Sequence, residues 1–392
     1  MNCISSEIEN KKYIPREIQK WEELECDQRL LRGIYAHGFE NPSPIQQKAI
    51  CSVFDKKDVI AQAQSGTGKT GCFTIGILHR IDTSINETQA LILSPTRELS
   101  QQTNNVIRSI GKFYNSLKTH LLIGGTSIDN DLQMLKSPPH IIVGCPGRVH
   151  DMLRRNRLNT NNLKLIVLDE ADEMLSQGFK EQVYNIFQFL NKDIQVNLFS
   201  ASIPETLTVL TNKFMRDPIK ILVKTEQLTL EGIRQHYVAV ENDNQKYDTL
   251  KDLYRIFSLS QCIIYCNSVK RVQDLHDAMR EDNFPVCQIH SNMDKQEREK
   301  NFVSFSSGNT RVLISSNVTA RGIDVQQVST VINFDIPKCV HTYLHRIGRS
   351  GRWGRKGMAI NFVTRRDARY MKDIEQYYHT DISELPASIK DE

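Results

Sequence analysis

Short apolar, β-rich runs recur along the whole chain with helix-like stretches between them, and this rhythm constrains the fold more than any other feature. In the first half they fall at residues 59–61, 90–93, 121–123, 141–143, 165–168 and 196–199. In the second half they fall at 237–240, 262–265, 286–289, 312–314, 330–334 and 359–363. Strands that are apolar throughout belong to parallel sheets covered by helices on both faces. The stretch 223–232 is polar and carries neither pattern, so it reads as a linker. The chain of 392 residues has room for two domains of about 150–200 residues each. The expectation is an α/β protein with one mostly parallel sheet in each of residues 21–222 and 233–392, preceded by a polar tail over 1–20.

Composition narrows the function classes. No apolar run approaches 20 residues, which argues against a membrane span. The first residues lack a basic start followed by an apolar block, so a secretory signal is not expected. Nine cysteines are scattered without a Cys-x-x-Cys pair, suggesting neither a zinc site nor a disulfide framework. Reduced, intracellular thiols follow. A formal charge of +4 permits nucleic-acid binding without requiring it.

Nearly every polar motif follows one of the apolar runs, where ligands of open α/β sheets bind. Ala63-Gln-Ser65-Gly66-Thr67-Gly68-Lys69-Thr70 follows the run at 59–61 and reads as a phosphate-binding loop, with Ala63 in place of the usual first glycine. Its glycines let backbone N–H groups close on phosphate oxygens at a helix start. Lys69 is placed to reach the β- and γ-phosphates, and Thr70 to hold Mg²⁺. About 100 residues on, the run 163–168 ends in Asp169-Glu170-Ala171-Asp172. Two carboxylates at a strand end suit a metal-bound phosphate and its attacking water. Asp169 is assigned to Mg²⁺ through water, and Glu170 to orienting or deprotonating that water. Together these motifs predict binding and cleavage of a nucleoside triphosphate.

On these residues, and on others in the same order, the chain resembles the DEAD-box RNA helicases over roughly residues 20–390, most closely the branch of translation initiation factor 4A and its nuclear paralogues. The resemblance implies two tandem RecA-like domains using ATP and Mg²⁺. Phe39-Glu-Asn-Pro-Ser-Pro-Ile-Gln46 is similar to the family's adenine-reading motif, with Gln46 on the base edge, Phe39 on the ring and Trp21 at the upstream aromatic position. Implied RNA contacts are Pro95, Thr96, Arg97, Gly124, Gly125, Pro146, Gly147 and Arg148 in the first domain. In the second they are Asn267, the segment 290–298 with Arg298, Ser316, Arg321 and Gly322. Contact with the RNA backbone implies little sequence preference. Asp324 is implied at the ribose, and Arg349 and Arg352 as arginine fingers. Asp172, Ser200, Ser202 and His345 are implied to couple the two domains.

Four departures from the family pattern stand on the RNA side or the domain junction: Cys145 for threonine, Ser291 for glycine, Lys295 for glutamine, and Ser316-Asn317 for Thr-Asp. The expected activity is RNA-stimulated ATP hydrolysis coupled to local unwinding of short duplexes, in mRNA or pre-rRNA metabolism. The alternative is an ATP-gated RNA clamp with little turnover. Partners expected from the resemblance are RNA and a protein activator or scaffold such as a HEAT-repeat protein, with no membrane and a monomeric chain. Residues 235–241 and 326–327 lean toward a nuclear or nucleolar paralogue, while 214–218 and 232–235 fit the cytoplasmic factor equally well.

Overall fold

A computed structural model describes residues 13–63, 66–176, 178–222, 233–256, 261–317, 328–348, 350 and 357–386. Their strands form two sheets, each flanked by helices. In the first lobe the strands are β1 (Val59–Gln62), β2 (Ala90–Leu93), β3 (Thr119–Leu122), β4 (Ile141–Gly144), β5 (Leu165–Asp169), β6 (Gln195–Ser200) and β7 (Ile219–Leu222). They lie in the order β3-β4-β2-β5-β6-β1-β7, all parallel. The second lobe holds β8 (Ile233–Ala239), β9 (Cys262–Tyr265), β10 (Val286–Ile289), β11 (Val312–Ser315), β12 (Thr330–Asn333), β13 (Gly357–Val363) and β14 (Ser383–Glu384). Their order is β10-β11-β9-β12-β13-β8-β14, again parallel. The α/β architecture of two tandem RecA-like units is thus present.

Continuous apolar strands are explained by burial on both faces. In β5, Leu165 and Val167 pack into one core cluster while Ile166 and Leu168 pack into the other. In β9, Ile263 and Tyr265 face one layer, Cys262 and Ile264 the opposite one. Each fully buried aliphatic side chain contributes about 1.5–3 kcal/mol, so both faces are needed to hold strands of four or five residues.

The register places the chemistry. β6 lies between β1 and β5, pairing Gln62 with Ser200 and Asp169 with Phe199. The loop after β1 and the carboxylates after β5 therefore flank the end of one shared strand. Two strands were not evident as apolar runs. β7 reads Ile-Lys-Ile-Leu beside β1, and β14 is a polar dipeptide beside β8.

Candidate active site

The phosphate loop begins where β1 ends and closes at the helix Lys69–Arg80. Gly68 caps that helix at φ +99° and Gly66 sits at φ +83°. Side chains rarely adopt that left-handed region, so these two positions need glycine. Lys69, the first helical residue, is buried and donates from Nζ to Glu170 Oε1 at 3.1 Å. The helix start adds oriented N–H groups that suit an anion.

Asp169 is the last residue of β5, and Glu170 takes φ +50° in the turn that follows. A glutamate in that region carries local strain, which clusters at functional turns. Burial, then the neighbouring Glu170 charge, pushes the Asp169 carboxyl up to about 7, with Lys69 pulling in the opposite direction. A cation here would relieve that carboxylate. The oxygen-only set of Thr70 and Asp169 fits Mg²⁺, which favours hard oxygen donors and retains water.

The segment 39–46, expected to read adenine, packs directly on the glycine loop. Ser43 N donates to Gln46 Oε1 at 2.7 Å in a capping box that starts the helix Pro44–Phe54. The other end of the same amide donates to the Gly68 carbonyl at 3.1 Å. A Cβ on Gly71 would stand 2.6 Å from the Phe39 ring and 2.7 Å from Gln46 Nε2, so this side of the helix must stay bare. Trp21 requires a correction. Its side chain has no exposed surface and stacks behind Phe39 at 6.3 Å between centroids. It supports Phe39 from the core instead of facing a ligand.

Across the cleft, the structure brings the implied coupling residues together. Asp172 N donates to Ser200 Oγ at 3.3 Å, and Ser202 Oγ donates to Asp172 Oδ2 at 2.6 Å. His345 of the second lobe approaches the same Oδ2 to 3.3 Å with its Nε2. A second link joins Arg298 Nη2 to Glu98 Oε2 at 2.7 Å. Arg298 is thus engaged by the first lobe, not standing free for phosphate.

Among the residues expected to meet RNA, Thr96 caps the helix Arg97–Ile110, and Arg97 lies on the double glycine. A Cβ at Gly125, itself at φ +78°, would meet that guanidinium at 2.8 Å. Pro146 is buried and Gly147 exposed at the start of the helix Pro146–Arg154. Burial pushes the adjacent Cys145 thiol up to about 11, leaving it neutral beside Ser100 Oγ at 3.7 Å. Arg148 departs from the expected phosphate contact: its guanidinium donates to Thr126 and to the buried Asp131. Ser316 lies buried after β11, and its Oγ has no hydrogen-bond partner among the described residues.

Asn267 is likewise held internally, donating to the Ile336 carbonyl and accepting from Arg346. Arg346, which the sequence did not single out, is a hub. It is wholly buried and donates to Asn267, Asn317, Asn333 and the Asp335 carbonyl at 2.6–3.1 Å. Burial lowers it to about 10. Asp131 gave no sequence signal, since it lies in an ordinary polar helix. Ser65, Arg321, Gly322, Asp324, Arg349, Arg352 and the linker 223–232 lie outside the described residues.

A glycine loop with its lysine, a carboxylate pair on the neighbouring strand end and a second lobe reaching into the same cleft define a two-lobed P-loop nucleoside triphosphatase. Residues 43–210 match the DEAD/DEAH box helicase family and residues 245–354 the helicase conserved C-terminal domain. The chain belongs to the DEAD-box ATP-dependent RNA helicases, enzymes that use ATP on RNA. It is 52% identical over 374 residues to the ATP-dependent RNA helicase fal1 of Schizosaccharomyces pombe, covering 95% of both chains. Identity to the ATP-dependent RNA helicase eIF4A of Pyricularia oryzae is also 52%, covering 95% of this chain and 94% of that one. Among solved structures, Saccharomyces cerevisiae Dbp5 bound to RNA and ADP BeF3 superposes with a TM-score of 0.89 at 34% identity, covering 94% of this chain and 96% of that one. No helix among the described residues is long and apolar enough to cross a membrane.

Proposed function

We propose that ATP with Mg²⁺ binds in the first lobe, that RNA and ATP together clasp the lobes, and that hydrolysis releases them after one strand of a short duplex has been bent away. The observation that carries this reading is one cleft holding both the Lys69–Glu170 pair and the His345–Asp172 contact from opposite lobes. On ATP entry, Lys69 exchanges the Glu170 carboxylate for β- and γ-phosphate oxygens. Glu170 is then available to orient and deprotonate the attacking water. Thr70 and, through water, Asp169 would hold Mg²⁺, which neutralises charge on the phosphates. Ser65, Gly66, Thr67 and Gly68 cradle those phosphates, while Gln46 and Phe39 read the adenine. By resemblance, Asp324 meets the ribose, and Arg349 and Arg352 act as fingers worth about 10³–10⁵ in rate.

RNA is met by backbone amides, hydroxyls and arginines at 95–97, 124–125, 146–147, Ser316 and 321–322. Such contacts position a strand without reading it, and 2′-hydroxyl bonds select RNA. The clamp alternative is not favoured, since relatives at 52% identity carry helicase names. Translation initiation and ribosome biogenesis are the processes the two relatives support. The proposal extends to a monomer that docks a HEAT-repeat scaffold and works on the nuclear side; affinity purification of the tagged chain separates a cap-binding scaffold from pre-ribosomal or splicing proteins.

Phosphate release with and without single-stranded RNA, run beside displacement of a short duplex, tests the core of this reading. RNA should stimulate the wild type, and Glu170→Gln should retain both ligands while turning over at least about 100-fold more slowly. A Glu170→Gln rate equal to wild type would hand the water to another residue.

A further inference from the structure

Three side chains from three separate elements converge beside the Gly124-Gly125 turn. Asp131, on the helix Ile128–Leu135, is only 2% exposed. His120 of β3 places Nε2 at 3.0 Å from Asp131 Oδ1, and Arg148 donates through Nη1 to Oδ2. The same guanidinium continues to Thr126, with Nη1 to Oγ1 at 3.2 Å and Nη2 to the carbonyl at 2.9 Å. Thr126 Oγ1 then donates to the Ile123 carbonyl at 2.8 Å. Each oxygen of one buried carboxylate is thereby engaged, and the chain of bonds ends on the backbone of a single turn.

Burying a carboxylate is unfavourable unless its partners are well placed. Here one of the two partners, Arg148, leads on to the turn whose backbone is proposed to meet RNA. We propose that Asp131 is a positioning residue for RNA. It anchors Arg148 on Thr126, so the 124–126 backbone is ordered before RNA arrives, and His120 secures its second oxygen. Preorganisation of this kind strengthens binding by removing the cost of ordering the loop. Arg148 serves as a brace in this arrangement. Swinging out to a phosphate would strand Asp131.

The inference rests on the RNA reading of that turn. RNA-stimulated ATPase of the full chain tests it. For Asp131→Asn, the RNA concentration giving half-maximal stimulation should rise about tenfold, with kcat at saturating RNA within about twofold and RNA-independent turnover unchanged. His120→Gln, which keeps an N–H toward Asp131, should match wild type, while His120→Leu should show an intermediate rise. This pair decides the matter if Asp131→Asn does not fold. Unchanged half-saturation in Asp131→Asn, or in His120→Leu, overturns the inference alone. A wild type that RNA does not stimulate overturns the RNA reading and takes this inference with it.

Discussion

Each lobe buries a cation at its working edge, and the two are neutralised in opposite ways. Lys69 in the first lobe meets a carboxylate, Glu170, with both side chains about 5% exposed or less. Arg346 in the second lobe is surrounded by amide and carbonyl oxygens, and no carboxylate lies within ion-pair distance among the described residues. In the function proposed above the first arrangement is an exchangeable one, the carboxylate giving way to an arriving phosphate. The second is a fixture. Its five N–H groups tie the segments after β9, β11 and β12 to the helix Val340–Ile347, and nothing there invites a ligand to compete. One lobe pairs its buried charge with an opposite one; the other wraps its charge in neutral oxygens that hold shape.

The largest effect should come from removing the fixture. Arg346→Ala leaves several buried acceptors unpaired at about 1–3 kcal/mol each, enough to unfold the second lobe while sparing the first. Calorimetry resolving two transitions checks this, and a second lobe that melts normally would break the contrast. Lys69→Ala comes next. It should cost about 10²–10³ in RNA-stimulated phosphate release with both lobes still folded, the scale of losing one aimed donor.

Asp169→Asn probes the carboxyl that the fold pushes up to about 7 from 3.8. Because the folded chain holds this proton more tightly than the unfolded one, its stabilising contribution is full below about pH 4 and gone above about pH 7. The variant should therefore abolish hydrolysis yet raise the melting temperature of the nucleotide-free first lobe at pH 8 by a few degrees. A lower melting temperature would mean that Asp169 is already compensated. Asn317→Asp sharpens the comparison from the other side, giving Arg346 the carboxylate that Lys69 has. A gain of about 1–2 kcal/mol in the second lobe is expected in thermal melts, since the new charge must also be desolvated. Last, Cys145→Thr restores a hydroxyl donor and should tighten RNA binding a fewfold in anisotropy titrations.

Much of this fold could be read from the chain because parallel strands buried on both faces leave unbroken apolar runs. β7 escaped since Ile219-Lys220-Ile221-Leu222 interrupts its run with a lysine, and β14 since two polar residues leave no pattern at all. The glycine loop and Asp169-Glu170 stand out in the sequence for a local reason: each is a contiguous segment, and the structure sets the two side by side. What stayed hidden depends on distant elements meeting. Nothing near Arg148 announces that Asp131 and Thr126 will take its guanidinium, nor near Arg298 that Glu98, 200 positions away, will do the same. Trp21 illustrates the converse. An aromatic in the right place along the chain proved to be a core residue one layer behind the face it was assigned to.

The Glu98–Arg298 pair bears on how the two lobes are held against one another. It is largely but not wholly shielded, with Arg298 12% and Glu98 16% exposed, and it lines a pocket together with Gln101, Phe302 and Val303. Electrolyte can therefore loosen it where it would leave a deeper contact alone. The grip between the lobes should thus slacken as ionic strength rises, and a crowd of polyanions would loosen it as readily as added salt.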